Sequence, residues 1–263
     1  MEQGKFSENG QVTYTLKLNY DYYVVTANDL IRGKQTMTER EIKLLLMAIS
    51  QVMKQDKELK TYTTTVPELA KFMQVSTKSL YKDLKEICKK LLQRIVEIKI
   101  GDGKKDWKIF QWVNMAKFED GVLTIRLSED IKPYILELSN SYTQIVLGTI
   151  IKFSGYYTTR LYQILKCDYG ERKQVTWEFS CDEIREVFQT KDKYKNNRDL
   201  VNRTIKQALE ELNKSDFVHI SDYTEIFEKK KGNPLVGVKF KAYFFDTAFQ
   251  KQEFFSEQPE LLT

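Results

Sequence analysis

Four lysines, Lys78, Lys82, Lys85 and Lys89, recur at spacings of 4, 3 and 4, so on a helix they share one face. A stripe of ammonium groups is suited to phosphate oxygens, and in a major groove to the acceptors of guanine. Tyr81 sits beside them. The same segment carries Leu80, Leu84, Ile87 and Leu91, also at 4, 3, 4 spacing, which reads as a buried stripe on the opposite side. A single lysine stripe is more often only a solvated helix face. What favours nucleic acid here is the place of this helix as the second of a helix–turn–helix.

A second set of polar side chains lies further on: Lys193, Lys195, Asn197, Arg198, Asn202, Arg203 and Lys206. Asparagine pairs with adenine and arginine with guanine in bidentate geometry that lysine cannot match, so this set is the better equipped for base reading. Asn196-Asn197 also suits a plain loop and helix cap. Lys230 lies in the run Lys229-Lys230-Lys231-Gly232, a basic tip fit for phosphate and equally for a solvated turn.

Catalytic chemistry is poorly supplied. The only histidine is His219, whereas a metal-dependent nickase needs a histidine pair. There is no G-x-x-x-x-G-K-[ST] phosphate loop, and no spacing of acidic residues suggests a metal. The expectation is a binding protein without catalytic residues, metal or cofactor. Cys88, Cys167 and Cys181 are widely separated and odd in number, which fits a reduced, cytoplasmic chain better than a disulfide scaffold. No apolar run reaches the ~18–20 residues of a membrane span, and the start, Met1 to Lys5, lacks a signal peptide's apolar core. Net charge +5 and a pI near 8.8 permit nucleic-acid binding without showing it.

The elements that must position these residues form two copies of one pattern. Thr65-Val66-Pro67-Glu68 and Ser180-Cys181-Asp182-Glu183 are capping boxes. Each opens a short apolar face, Leu69, Phe72 and Met73 in one and Ile184, Val187 and Phe188 in the other. Val201, Ile205, Ala208 and Leu212 repeat the second stripe. The first helices are offset by 115 residues and the stripes by 121, which places six extra residues in the second turn, near Lys191 to Asn196. Short β-rich runs precede each copy (Thr61 to Thr64, Val175 to Phe179) and follow it (Ile95 to Ile98, Phe217 to Ile220). Turns at Glu119-Asp120-Gly121 and Gly232-Asn233-Pro234 return the chain into further strands. A leading helix, capped at Thr38-Glu39-Arg40-Glu41 and running to about Lys54, precedes the first copy; Leu161, Ile164 and Leu165 mark its counterpart.

Helix, strand, helix, turn, helix and β-hairpin is the order of a winged helix. The chain therefore reads as α+β, two tandem winged-helix domains related by an internal repeat. They span 1–139, for DNA binding and dimerisation, and 140–263, for the main sequence-specific contact. Ser128 to Tyr142 is expected to join them as a packed helical connection.

The sequence resembles the iteron-binding plasmid replication initiators with two winged-helix domains. The resemblance is carried by Asn28-Asp29-Leu30-Ile31-Arg32 followed by Met37 to Leu44, by Arg160-Leu161-Tyr162-Gln163-Ile164-Leu165-Lys166, and by Gly237-Val238-Lys239-Phe240. It implies a protein that binds tandem repeats in double-stranded plasmid-origin DNA, helps open an AT-rich duplex and recruits a host helicase, helicase loader or initiator. It also implies a homodimer in equilibrium with monomer. Two other readings use the same features: a transcriptional repressor on a palindromic operator, and a protein-interaction module.

Overall fold

The boundary between the two folding units falls between Lys152 and Phe153, well after the expected 139/140 junction. The computed structural model describes residues 5–6, 12–15, 19–101, 106–138, 141–172 and 174–258.

Unit 1 opens with β1 (Lys5–Phe6), β2 (Val12–Thr15) and β3 (Tyr23–Ala27), then α1 (Asn28–Arg32) and α2 (Glu39–Ile49). The Thr38 side chain accepts from the Glu41 amide, and Glu41 caps Thr38 in return, completing the capping box. Helix α2 stops at Ile49, short of Lys54. It is buried on every side from Glu41 to Ile49, so it is a central helix; Met53, within the expected reach of the helix, lies beyond its end and is exposed. Next come β4 (Thr61–Thr65), α3 (Val66–Met73) and α4 (Thr77–Gln93). The box at Thr65 starts α3, and Gln74 ends it in the left-handed conformation, φ 57°. Leu80 and Leu91 of α4 are fully buried, so cutting either to Ala would cost about 2–5 kcal/mol.

Beyond α4 the chain departs from the expected pattern. The run at Ile95 becomes β5 (Ile95–Lys99), which pairs with β6 (Trp107–Gln111) in a separate two-stranded ribbon. The wing is instead β7 (Val113–Glu119) and β8 (Val122–Leu127), turning at Asp120 and Gly121, both at positive φ. Strand β8 also pairs antiparallel with β4, and β2 adds parallel to the far side of β4. A 3-10 turn (Glu129–Ile131) and α5 (Lys132–Ile135) pack back on this unit against β6 and β3. Then β9 (Tyr142–Val146) pairs with β3, and α6 (Leu147–Ile150) follows. The segment read as an interdomain connection is thus part of unit 1, which is why the boundary moves.

Unit 2 begins with α7 (Tyr156–Arg172), buried from Tyr156 to Leu165 apart from Tyr157. Strand β10 (Thr176–Ser180) leads into α8 (Cys181–Val187), capped by the Ser180–Glu183 box. Gln189, nine residues beyond its N-cap as Gln74 is beyond Thr65, is also left-handed, φ 50°. The second helix is α9 (Asn197–Val201), a π-turn (Asn202–Lys206) and α10 (Gln207–Lys214) in continuation. Strands β11 (Val218–Phe227) and β12 (Leu235–Phe244) form the wing, and β12 also pairs with β10. At Gly237 a Cβ would stand 2.6 Å from the Phe179 carbonyl oxygen, so this crossing of strands admits only glycine. Helix α11 (Ala248–Glu257) closes the unit.

Both units therefore share an order and a pairing scheme: β4–β8–β7 in one and β10–β12–β11 in the other. The ribbon β5–β6 is an addition of unit 1. Of the six extra residues in unit 2, five separate the caps Ser76 and Asn196 beyond the first offset. The sixth lies inside the helix, at the π-turn.

Candidate nucleic-acid interface

In unit 1 the reading helix is fixed from behind. Arg40 donates to Asp83 at 2.5 Å and reaches Ser79. Arg94, the C-cap of α4, forks onto the fully buried Glu41 carboxylate at 2.7 and 3.2 Å. With α4 held this way, Lys78, Lys82, Lys85 and Lys89 all face solvent. Lys89 bonds Glu86 at 3.0 Å, and that bond with the lysine's charge holds the Glu86 carboxyl below the usual range. Lys78, Lys82 and Lys85 have no ion-pair partner among the described residues, so their charge is available to a phosphate. Tyr81 is partly spent within the fold. Its ring meets Phe118 of β7 edge-on, centroids 6.0 Å apart, and so braces helix against wing. Between α4 and β7 lies a groove of about 450 Å³ with Leu84 and Cys88 among its lining residues and Lys85, Lys89 and Lys117 beside them. Burial pushes the Cys88 thiol up to about 11.

In unit 2 the structure separates the predicted residues into two groups. Arg198 and Arg203 are exposed, Asn202 is half-buried, and none of the three is an ion-pair member among the described residues. Arg203 borders a cleft of about 530 Å³ with Tyr157, Gln207 and Lys214. Lys195 is exposed in the enlarged turn. The other group is engaged. Asn197 donates to the Leu235 carbonyl at 2.6 Å and accepts from Arg185 at 3.0 Å; it is a tie between helix and wing, where sequence had made it a base reader. Lys206 pairs with Glu225 of β11 at 2.6 Å and lies 5.5 Å over the Tyr223 ring, so its charge is largely answered within the fold. Lys193 approaches the Tyr157 hydroxyl at 3.5 Å, which Tyr194 also meets at 3.4 Å. Burial first, and then the Tyr157 bond, push the Tyr194 hydroxyl up to about 12. Asn196 is the N-cap, accepting from the Asp199 amide at 2.8 Å.

At the second wing tip Lys230 pairs with Glu228 at 2.6 Å. Both are well exposed, so the pair is worth little and opens readily to a competing anion. Sequence reading missed Lys117 on the first wing, and missed Arg185 and Tyr157 behind the enlarged turn. Each is brought in from another element, so no local spacing marks them.

Two faces result, each a helix flanked by a wing. The first presents ammonium groups and the second presents guanidinium and amide groups. Among the described residues no group of three or more His, Cys, Asp or Glu could hold a metal, and no helix is long and apolar enough to cross a membrane. His219 is a buried strand residue bonded to Asn213 at 3.1 Å.

Comparison with known proteins gives concordant matches. The family described as "Initiator Replication protein, WH1" matches residues 23–166, and "Initiator Rep protein, WH2" matches residues 180–242. A replication initiation protein of Escherichia coli is 28% identical over 196 residues, covering 72% of this chain and 61% of its own length. A "PI protein" of Escherichia coli is 26% identical over 153 residues, 52% of this chain and 48% of that one. The chain thus spans about half to three-fifths of the length of these relatives. The crystal structure of Pi initiator protein in complex with iteron DNA has a TM-score of 0.65 at 19% identity, covering 87% of this chain and 99% of that chain.

Proposed function

Since the chain belongs to the initiator replication protein family, we propose that it initiates replication of a plasmid by binding tandem double-stranded repeats at the origin. One observation carries the reading: a single chain holds two helix–turn–helix units with wings, whose outward faces differ in chemistry. Non-identical faces read an asymmetric site, so several sites in direct repeat suit this chain better than one palindrome. The lysine face positions the protein on phosphates, and Arg198, Asn202 and Arg203 read bases. The protein works by binding rather than catalysis, in the cytoplasm. Opening of the AT-rich duplex follows from DNA deformation, and unwinding falls to a recruited host helicase, helicase loader or initiator.

Dimerisation is assigned to the ribbon of unit 1. Trp107, Ile95 and Ile109 are 62, 50 and 43% exposed, and β6 has one edge without a partner strand among the described residues. An exposed apolar edge strand is a template for a second copy. Monomers bind repeats, and dimers hold the ribbon covered.

Footprinting on the DNA flanking the gene tests the reading. Protection of tandem repeats of roughly 20 base pairs, two helical turns, is expected, with replication of an origin plasmid only when the chain is supplied. Protection of one palindrome, without replication, would instead make the chain a repressor.

A further inference from the structure

The two reading helices have the same buried ends but different numbers of residues between them. Four residues after its N-cap each helix carries a fully buried leucine, Leu80 after Ser76 and Leu200 after Asn196; the last buried leucine follows eleven residues later in unit 1 (Leu91) and twelve later in unit 2 (Leu212), where Val201 beside Leu200 is fully buried too. At ~100° per residue, eleven residues return to within ~20° of the starting face, while twelve overshoot to ~120°. In unit 2 the π-turn winds in the additional residue, so that Leu200 as well as Val201 shares the core with Leu212: the Gln207 amide bonds the Asn202 carbonyl, five residues back. Isolated π-turns of this kind are rare and cluster at functional sites.

The residue that marks the turn is Thr204. It is four residues after Leu200, as Leu84 is four after Leu80, and it puts a hydroxyl where unit 1 has an apolar side chain. It has no exposed surface, and it donates to the Leu200 carbonyl at 2.7 Å. A buried hydroxyl must find an acceptor, and a threonine bonded one turn back bends a helix. The helix is anchored on either side of this point. Asn196 caps it and Asn197 ties it to Leu235; Ala208, Leu209 and Leu212 hold it in the core. If the turn relaxed to regular α-helix, one end would have to rotate by ~100° relative to the other. The residues on the moving stretch are Asn202, Arg203 and Lys206.

We propose that the π-turn sets the base-reading register of unit 2, and that Thr204 is a positioning residue for Arg203. The proposal rests on the DNA-binding reading above. It gives Thr204, a core residue, control over sequence discrimination, while the lysine face of unit 1 supplies affinity that ignores sequence.

The test compares the full chain with Thr204→Val, Thr204→Ala and Thr204→Ser on duplex carrying the flanking repeat and on a scrambled duplex of the same composition. Valine and alanine should lower the preference for the repeat about tenfold, the scale of one lost base contact. Binding to scrambled DNA and the salt slope should stay unchanged. Serine, which keeps the hydroxyl, should keep the preference. Adding Arg203→Ala to Thr204→Val should cost little more, because the contact is already lost. Unchanged preference in both hydroxyl-free variants, an equal loss on both DNAs, or failure of both to fold (read by thermal melting) overturns the proposal. Absence of any preference in the unaltered chain overturns the DNA-binding reading itself, and with it this inference.

Discussion

The Asn197 amide donates to the Leu235 carbonyl at 2.6 Å, joining the first turn of the second reading helix to the first residue of the returning wing strand. Arg185 holds the other end of the same amide. Asn197→Ala leaves the carbonyl of the buried Leu235 and the Arg185 guanidinium without this partner, and should cost about 1–3 kcal/mol of stability. Chemical denaturation checks this. If stability holds while repeat binding alone collapses, Asn197 is a DNA contact after all.

Arg203→Ala should weaken binding to the repeat by ~1–3 kcal/mol and relax preference at one base position. Titration against a panel of single-base variants reads it out. An equal loss on every duplex would reassign Arg203 to phosphate.

Replacing Lys82 and Lys85 together by Ala should weaken binding to all sequences alike. The dependence of log K on log salt should flatten by ~0.9 for each phosphate contact removed. A salt slope that does not move would show that the stripe is only a solvated face.

Arg94 is the partner of a carboxylate with no exposed surface, Glu41. Arg94→Ala strands that charge and should destabilise the protein by about 3 kcal/mol. Arg94→Lys should recover part of the loss, since an ammonium cannot fork onto both oxygens. Should Arg94→Ala and Glu41→Gln prove additive in a double-mutant cycle, the pair is not coupled.

Burial raises the Cys88 thiol from its ordinary 9.0 to about 11. The folded state therefore favours the neutral form. Its contribution to stability is intact below pH 9.0 and is lost as pH climbs from there through about 11. At pH 8 the folded thiol should react with a disulfide reagent at least several-fold more slowly than in urea, because a much smaller share of it is thiolate. Equal rates would place Cys88 in solvent.

The local grammar of the chain was readable without coordinates. Capping boxes at Thr38, Thr65 and Ser180 start helices where written, because a cap is satisfied by neighbours three residues away. The stripe from Leu80 to Leu91 declares its buried side, because helical periodicity is local. Strand β8 begins at Val122 as expected, following a turn that needs positive φ. The exposure of Lys78, Lys82 and Lys85 follows from the same geometry.

What only the tertiary structure decided depends on pairing across distance. Ile95 and Val218 look alike as starts of strands, yet β5 pairs with β6 and β11 with β12; hydrophobic alternation fixes a strand's two faces and not its partner. The junction at 152/153 moves for the same reason, since β9 pairs with β3 more than a hundred residues earlier. Which polar residues remain available was equally hidden. Asn197 and Lys206 match Asn202 and Arg203 in composition and position, and only the approach of Leu235 and Glu225 from the wing engages the first two and leaves the others facing out. The sixth extra residue could be counted but not located, because a π-turn arises where two ends of one helix must face the same core, and that core is assembled from elements far apart in the chain.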